Sequence, residues 1–347
     1  MYKLAIKDNK KILLSKNYNY VFDLTDGLFL RWGRKHFDDP QFSPFGPEIL
    51  DIEITTKCNG VNGKLCSYCY KSNTKDGHNM SYETFVDILN KVNENQQLCQ
   101  LAFGLGSTAE ENPDLWKMCE YARSQNIIPN GTIADITDET ADKIAQNFGA
   151  CAVSIHNKEN GYGSVKKLTD RGMTQCNIHQ VIYNENYEEI LQLIDDIKKD
   201  SRLEKLNAVV FLSLKKTGRA ENNKNMTQMS QENFNELILY ALEKNINFGM
   251  DSCSAIKFLK FIEMYPEYKY FETYIEPCES FGLFSSYVNV MGKYYPCSFV
   301  EMIKDYPYFA DLTKVKSFTK EVWQSEWMKK IRNKSLKNNR KCLDFQI

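Results

Sequence analysis

The chain has 347 residues, 42% hydrophobic and 26% charged, a composition that excludes disorder and collagen-like repeats. Lys and Arg total 44 against 45 Asp and Glu, a net charge of −1, which argues against a basic nucleic-acid scaffold or a membrane-surface binder. No stretch approaches the run of about 18 apolar residues that spans a bilayer. The N-terminus lacks a secretory h-region, so a cytoplasmic protein is expected.

Residues 1–47 alternate loosely, with Gly, Pro and Asp punctuation, and read as an N-terminal extension of short β-hairpins. A rhythm begins at residue 48. Residues 48–56 read as a strand. Residues 81–92 read as a helix capped by Ser81, with Phe85, Ile88, Leu89 and Val92 at helical spacing. Strands follow at 99–105, 127–133, 151–155, 176–183 and 207–215. They alternate with helices at 113–124, opened by Pro113, and at 138–148, 162–171, 187–200 and 231–245, the last capped by Ser230.

Six strand–helix units demand parallel strands with right-handed crossovers. They are too few for a closed eight-fold barrel. The expected class is α/β, an open partial (β/α)6 barrel of the TIM type, with a doubly wound sheet as the alternative. Either puts the site at the carboxyl ends of the strands. Residues 246–254 read as a seventh strand leading out of this core. Residues 284–297 read as a β-hairpin turned by Gly292, and 322–331 as a final helix. The expected division is a 1–47 extension, a 48–250 core and a 251–347 C-terminal domain of hairpin and helix.

Eleven cysteines, an odd number without a signal peptide, argue against a disulfide framework. Cys99, Cys119, Cys151 and Cys176 sit in apolar segments and read as core residues. Cys58, Cys66 and Cys69 crowd the loop TTKCNGVNGKLCSYCYK, just past the first strand of the rhythm. Cys253, Cys278, Cys297 and Cys342 fall in the C-terminal third. Three thiolates leave a tetrahedral metal one ligand short, where structural zinc prefers four. Three on a 4Fe–4S cubane would leave one iron open to substrate. A zinc site completed by His78 is the plainer alternative.

This loop, with Tyr68 before the third cysteine and a (βα)6 rhythm behind it, resembles the radical S-adenosylmethionine (SAM) superfamily. Seven residues separate Cys58 from Cys66, where the commonest family pattern has three. The resemblance implies that Cys58, Cys66 and Cys69 hold a 4Fe–4S cluster whose open iron is chelated by SAM. Reductive cleavage of SAM then yields a 5′-deoxyadenosyl radical that abstracts a substrate hydrogen. Tyr68 is expected on the cofactor side. The family's Gly-Gly-Glu-Pro segment after strand two is matched in part by Gly106, Ser107 and Glu110, against the alternative of an ordinary strand-to-helix turn.

Polar residues recur on one parity of the middle strands: Asn130 and Thr132, Ser154 and His156, Asn177 and His179. Thr132, Ser154, Asn177 and His179 are candidates to meet a nucleoside and a polar substrate, unless they bond to one another. Lys215 and Arg219 read as a rim, solvated or facing an anion.

The string CESFGLFSSYVNVMGKYYPC, C-x13-G-x4-C, resembles the SPASM/twitch extension of radical SAM enzymes. It implies a second, auxiliary 4Fe–4S cluster on Cys278 and Cys297, completed by Cys253 and Cys342. A four-thiolate zinc staple is the alternative. Relatives with such extensions often modify peptides or proteins by crosslinking, epimerisation or side-chain oxidation, so a peptide or protein is the expected substrate. The first 47 residues are short for a leader-binding domain, so such a peptide would dock elsewhere. An electron donor such as a flavodoxin or ferredoxin is implied. The rival readings are a radical SAM modifier of a small molecule or nucleotide, and a zinc-stabilised binding protein without catalysis. The basic run KKIRNKSLKNNRK reads as a solvated helix end, with a phosphate backbone or an acidic peptide as the alternative partner.

Overall fold

The computed structural model describes residues 2–345. Residues before 47 form a four-stranded antiparallel meander: β1 (Lys3–Lys7), β2 (Lys10–Leu14), β3 (Asn19–Asp23) and β4 (Phe29–Trp32). One face alternates inward, placing Leu13, Tyr20 and Phe22 against Cys99, Leu283 and Phe284. Lys11 on that face is buried, and its Nζ donates to the Leu98 carbonyl at 2.6 Å. The meander is thereby fastened to the rest of the molecule.

The βα rhythm follows as expected in kind. It comprises β5 (Ile49–Glu53), α1 (Tyr82–Val92), β6 (Gln100–Gly104), α2 (Leu115–Ser124), β7 (Ile128–Ile133), α3 (Asp138–Asn147), β8 (Ala150–Ser154) and α4 (Lys158–Asp170). It continues with β9 (Cys176–Ile182), α5 (Tyr187–Lys199), β10 (Ala208–Ser213), α6 (Gln231–Glu243) and β11 (Phe248–Met250). Ser81 and Ser230 accept from the backbone N–H three residues on, satisfying a free helical donor. The α1 stripe Phe85, Ile88, Leu89 and Val92 is fully buried. Each such side chain contributes roughly 1.5–3 kcal/mol of burial.

Two helix starts in this core differ from expectation. Pro113 precedes the α2 cap Asp114 and lies outside the helix. Helix α4 starts at Lys158, because Asn157 caps it by accepting from the Asn160 N–H. The sequence reading also missed α7 (Ala255–Met264) and the 3-10 segment Pro266–Tyr274.

The main sheet has ten strands in the order β11-β10-β9-β8-β7-β6-β5-β12-β13-β14, with β12 (Ser285–Val288), β13 (Lys293–Tyr295) and β14 (Ala310–Asp311). Strands β5 to β11 run parallel, and the sheet does not close into a barrel. The C-terminal hairpin joins this sheet: β12 pairs parallel with β5, Tyr287 opposite Asp51. Gly292 turns the hairpin at φ +75°. The last helix, α8 (Glu326–Lys337), begins later than expected because Ser325 caps it, and it carries most of the basic run. Among the described residues no helix is long and apolar enough to cross a membrane.

Candidate active site

The cysteine loop leaves β5 at the carboxyl edge of the sheet. Its long first spacing folds on itself. Val61 and Lys64 exchange backbone hydrogen bonds at 3.1 and 3.0 Å, and Gly60 (φ +69°) lies where a Cβ would stand 2.2 Å from the Lys64 carbonyl. The extra residues therefore form a small closed turn, and Cys66 returns towards Cys58. Backbone bonds from Cys58 N–H to Thr74 O (2.9 Å) and from Cys69 N–H to Cys66 O (3.3 Å) fix the remainder. Burial pushes the Cys66 thiol up to about 11, and Cys69 and Cys58 beside it add to the shift.

Arg219 reaches this loop from beyond β10. Its Nε donates to the Cys66 carbonyl at 2.7 Å and its Nη1 to Asn73 O at 2.9 Å, while its own N–H donates to Cys69 O at 3.0 Å. The Nη2 is buried without a partner among the described residues. Arg219 is thus a loop anchor, where the sequence suggested a solvated or anion-facing rim. On the other side, His156 Nε2 lies 3.5 Å from Cys66 Sγ, and its ring stacks on Tyr68 at 6.0 Å.

Both cysteine sets open onto one cavity of about 810 Å³. Cys66 and Cys69 line it from one side, and Cys253, Cys278, Cys297 and Cys342 from the other; Cys58 is buried behind the loop. Cys253 sits in the 3-10 turn after β11, and Cys278 and Cys297 flank the hairpin. Arg340 draws in the segment bearing Cys342, its Nε donating to Cys278 O at 3.0 Å and its Nη2 to Pro277 O at 2.9 Å. Burial raises the Cys253 thiol to about 12; Lys215 opposes the shift, and Asp251, Cys278 and Cys342 add to it. Burial raises the Cys278 thiol to about 11 and raises the Cys297 thiol as well, while main-chain N–H groups of Ser280 and Phe299 at the two sulfurs oppose the shift.

Among the described residues no three His, Cys, Asp or Glu side chains converge as the ligands of one ion do. A cubane spreads its thiolates over different irons and calls for wider spacing than one zinc ion. The unpartnered guanidinium nitrogen beside Cys66 and the main-chain donors at Cys278 and Cys297 suit an anionic sulfur cluster.

The other sequence candidates divide. His179 lines the cavity and is hydrogen-bonded to Thr132 Oγ1 at 2.9 Å. Burial lowers its pKa to about 4, opposed by Asp251, so it is neutral. Ser154 is half-buried at the end of β8, in register with His179. Asn177 lies near the amino end of β9, where its Oδ1 accepts from Asn207 Nδ2 at 2.9 Å.

Gly106 is packed so closely that a Cβ would fall 2.4 Å from the Lys57 carbonyl, next to Cys58. Ser107 is buried and donates to Glu111 Oε1 at 3.1 Å. Glu110 instead accepts from Thr140 at the start of α3. The carboxylate folded over this turn is Glu111, which also accepts from the Thr108 N–H and hydroxyl. Neighbouring glutamates in an irregular turn give no sequence signal for which one points back.

Two further cations stand at the site: Lys215, which the sequence offered as a rim residue that could face an anion, and Lys71, which it did not single out. Lys215 is buried against Asp251 on the cavity wall; burial opposes its charge, Asp251 and Cys253 outweigh that, and its pKa is raised. Lys71, two residues after Cys69, donates to Tyr287 Oη at 2.6 Å and pairs with Glu301 and Glu53, the latter at 3.3 Å. This network joins the cysteine loop, β5 and the C-terminal hairpin.

No protein-family model and no curated relative matches the chain. Among solved structures, SuiB of Streptococcus suis bound to its precursor peptide SuiA superposes with a TM-score of 0.68 at 14% identity, covering 94% of this chain and 89% of that one. SuiB alone gives 0.65 at 13% identity, covering 93% and 88%. The chain has the fold of the radical SAM enzymes. BtrN, crystallised with AdoMet and 2-DOIA, gives a TM-score of 0.42 at 12% identity over 82% of this chain and 85% of that one, too low to establish a shared topology.

Proposed function

We propose that the chain uses this fold as a radical SAM enzyme on a peptide or protein substrate. The observation that carries the reading is the single cavity shared by the Cys66–Cys69 loop and the four C-terminal cysteines. Cys58, Cys66 and Cys69 would hold a 4Fe–4S cluster, which with SAM and an electron supplies a carbon radical able to take a hydrogen atom. Cys253, Cys278, Cys297 and Cys342 would hold an auxiliary cluster.

Arg219 and the Val61–Lys64 turn position the first trio. The Gly106–Ser107 turn, with Glu110 or more directly Glu111, offers close backbone approach and a carboxylate for the SAM ammonium. Tyr68 and His179 supply polar wall, with Thr132 bonded to His179 and Ser154 beside it on β8, and Asn177 is a structural partner of Asn207. The parts would be a 1–47 extension, a 48–250 core and a 251–347 auxiliary-cluster unit sharing one sheet. A flavodoxin or ferredoxin would deliver the electron, in the cytoplasm.

The peptide reading is supported by the likeness to a protein crystallised with its precursor peptide. Anaerobic reconstitution tests the whole. It should give about eight irons per chain for two cubanes. Cys278→Ala should still cleave SAM but form no product, and a mass change should appear on a peptide. Four irons would remove the auxiliary site, and products from small molecules alone would remove the peptide.

A further inference from the structure

A groove of about 960 Å³ lies outside the active-site cavity, between α8 and the loop that contains Tyr306 and Tyr308. Its lining includes the apolar surfaces of Tyr306, Tyr308 and Ile331. Four exposed lysines, Lys304, Lys330, Lys334 and Lys337, share it with two aspartates, Asp305 and Asp344. Among the described residues none of these lysines is within ion-pair distance of a carboxylate. Some exposed helical lysines elsewhere are paired, as Lys143 is with Glu139 and Lys166 with Asp170. Three lysines of the basic run, Lys330, Lys334 and Lys337, therefore stand along one wall of a concave, aromatic-lined surface, with Lys334 also facing Asp344, whose carboxyl it stabilises as the anion.

The groove is also next to the site. Leu343 and Asp344 line it, while Lys341, Cys342 and Phe345 of the same short segment line the active-site cavity. A chain seated in the groove would have its continuation at the rim of that cavity.

We infer that this groove binds an acidic, leucine- or aromatic-bearing segment of the peptide substrate, outside the residues that are modified. The inference rests on the peptide reading above. Charge complementarity commits the occupant: an apolar floor takes alternate side chains, and a lysine wall takes the carboxylates between them. The meander at the N-terminus, whose inner face is already packed against Cys99, Leu283 and Phe284, is not needed for this.

The test uses the full chain, iron-free and reconstituted, with a fluorescein-labelled peptide of paired glutamates separated by single leucines. Its glutamine counterpart serves as the control. Anisotropy should show binding that weakens steeply with salt and is absent for the glutamine peptide. Lys330→Glu/Lys334→Glu should weaken it by roughly tenfold or more, and Lys330→Ala/Lys334→Ala by less. Lys7→Glu, on β1, should leave it unchanged. Both lysines of the pair are exposed, so folding is retained, and circular dichroism checks this.

Equal binding of the charge-reversed variant or of the glutamine peptide overturns the inference. So does lysine-dependent binding of an acidic flavodoxin without the peptide, which would make the groove a carrier-protein face. Because binding is read on the iron-free chain too, its loss is distinguishable from a failure of SAM cleavage.

Discussion

Arg219 holds Cys66 by the main chain: its Nε donates to the Cys66 carbonyl at 2.7 Å across 153 residues of sequence. The anchor acts on the loop backbone and leaves the sulfur free. Two side-chain bonds from a charged donor contribute roughly 1.5–3 kcal/mol each. Arg219→Ala should therefore lower iron uptake on reconstitution and lower the melting temperature. Arg219→Lys should restore little, since an ammonium cannot span both carbonyls. Normal iron content in Arg219→Ala would show that the loop holds itself.

Gly218 beside it has φ +60°, and a Cβ there would lie 2.3 Å from the Tyr70 carbonyl and 2.6 Å from that of Cys69. Gly218→Ala forces the loop or the turn to move. It should cost more than about 1 kcal/mol in denaturant unfolding. A variant as stable as the parent would contradict the packing.

Lys71→Met leaves Glu53 and Glu301 facing each other near Tyr287 in a buried network. Removing one partner of such a cluster costs roughly 3–5 kcal/mol. Adding Glu301→Gln should return part of the loss, which a double-mutant cycle measures.

His179 supplies a pH test. Burial lowers its pKa from 6.5 to about 4, so the folded chain binds this proton less readily than the unfolded chain. The contribution is complete above pH 6.5 and is lost as pH falls towards 4. His179→Gln should flatten that part of the stability curve relative to the parent; an unchanged slope would place the proton elsewhere.

What could be read from the sequence was local. Ser81, Ser230 and the Phe85–Val92 stripe announce α1 and α6 because caps and helical periodicity need only neighbours. The cysteines announce themselves by spacing. That Glu111 folds back over Ser107 and Thr108 while Glu110 turns to Thr140 has no sequence signal, because an irregular turn has no period. Lys71, Tyr287 and Glu53 meet across the hairpin, Tyr287 and Glu53 being 234 residues apart, and such contacts leave no mark on local composition. For Arg219 and Lys215 the sequence offers a rim, solvated or facing an anion; Lys215 faces the Asp251 carboxylate and Arg219 two main-chain carbonyls, because the partners of a buried cation are assembled only by the fold. Asn177 shares a strand face with His179, yet its position near the amino end of β9 gives it Asn207 for a partner.

The most direct test of the central claim is release of 5′-deoxyadenosine by the anaerobically reconstituted, chemically reduced chain supplied with SAM. The expected result is release by the parent and none by Cys66→Ala. A chain that carries zinc in place of iron, or that loads iron yet leaves SAM intact, would contradict it.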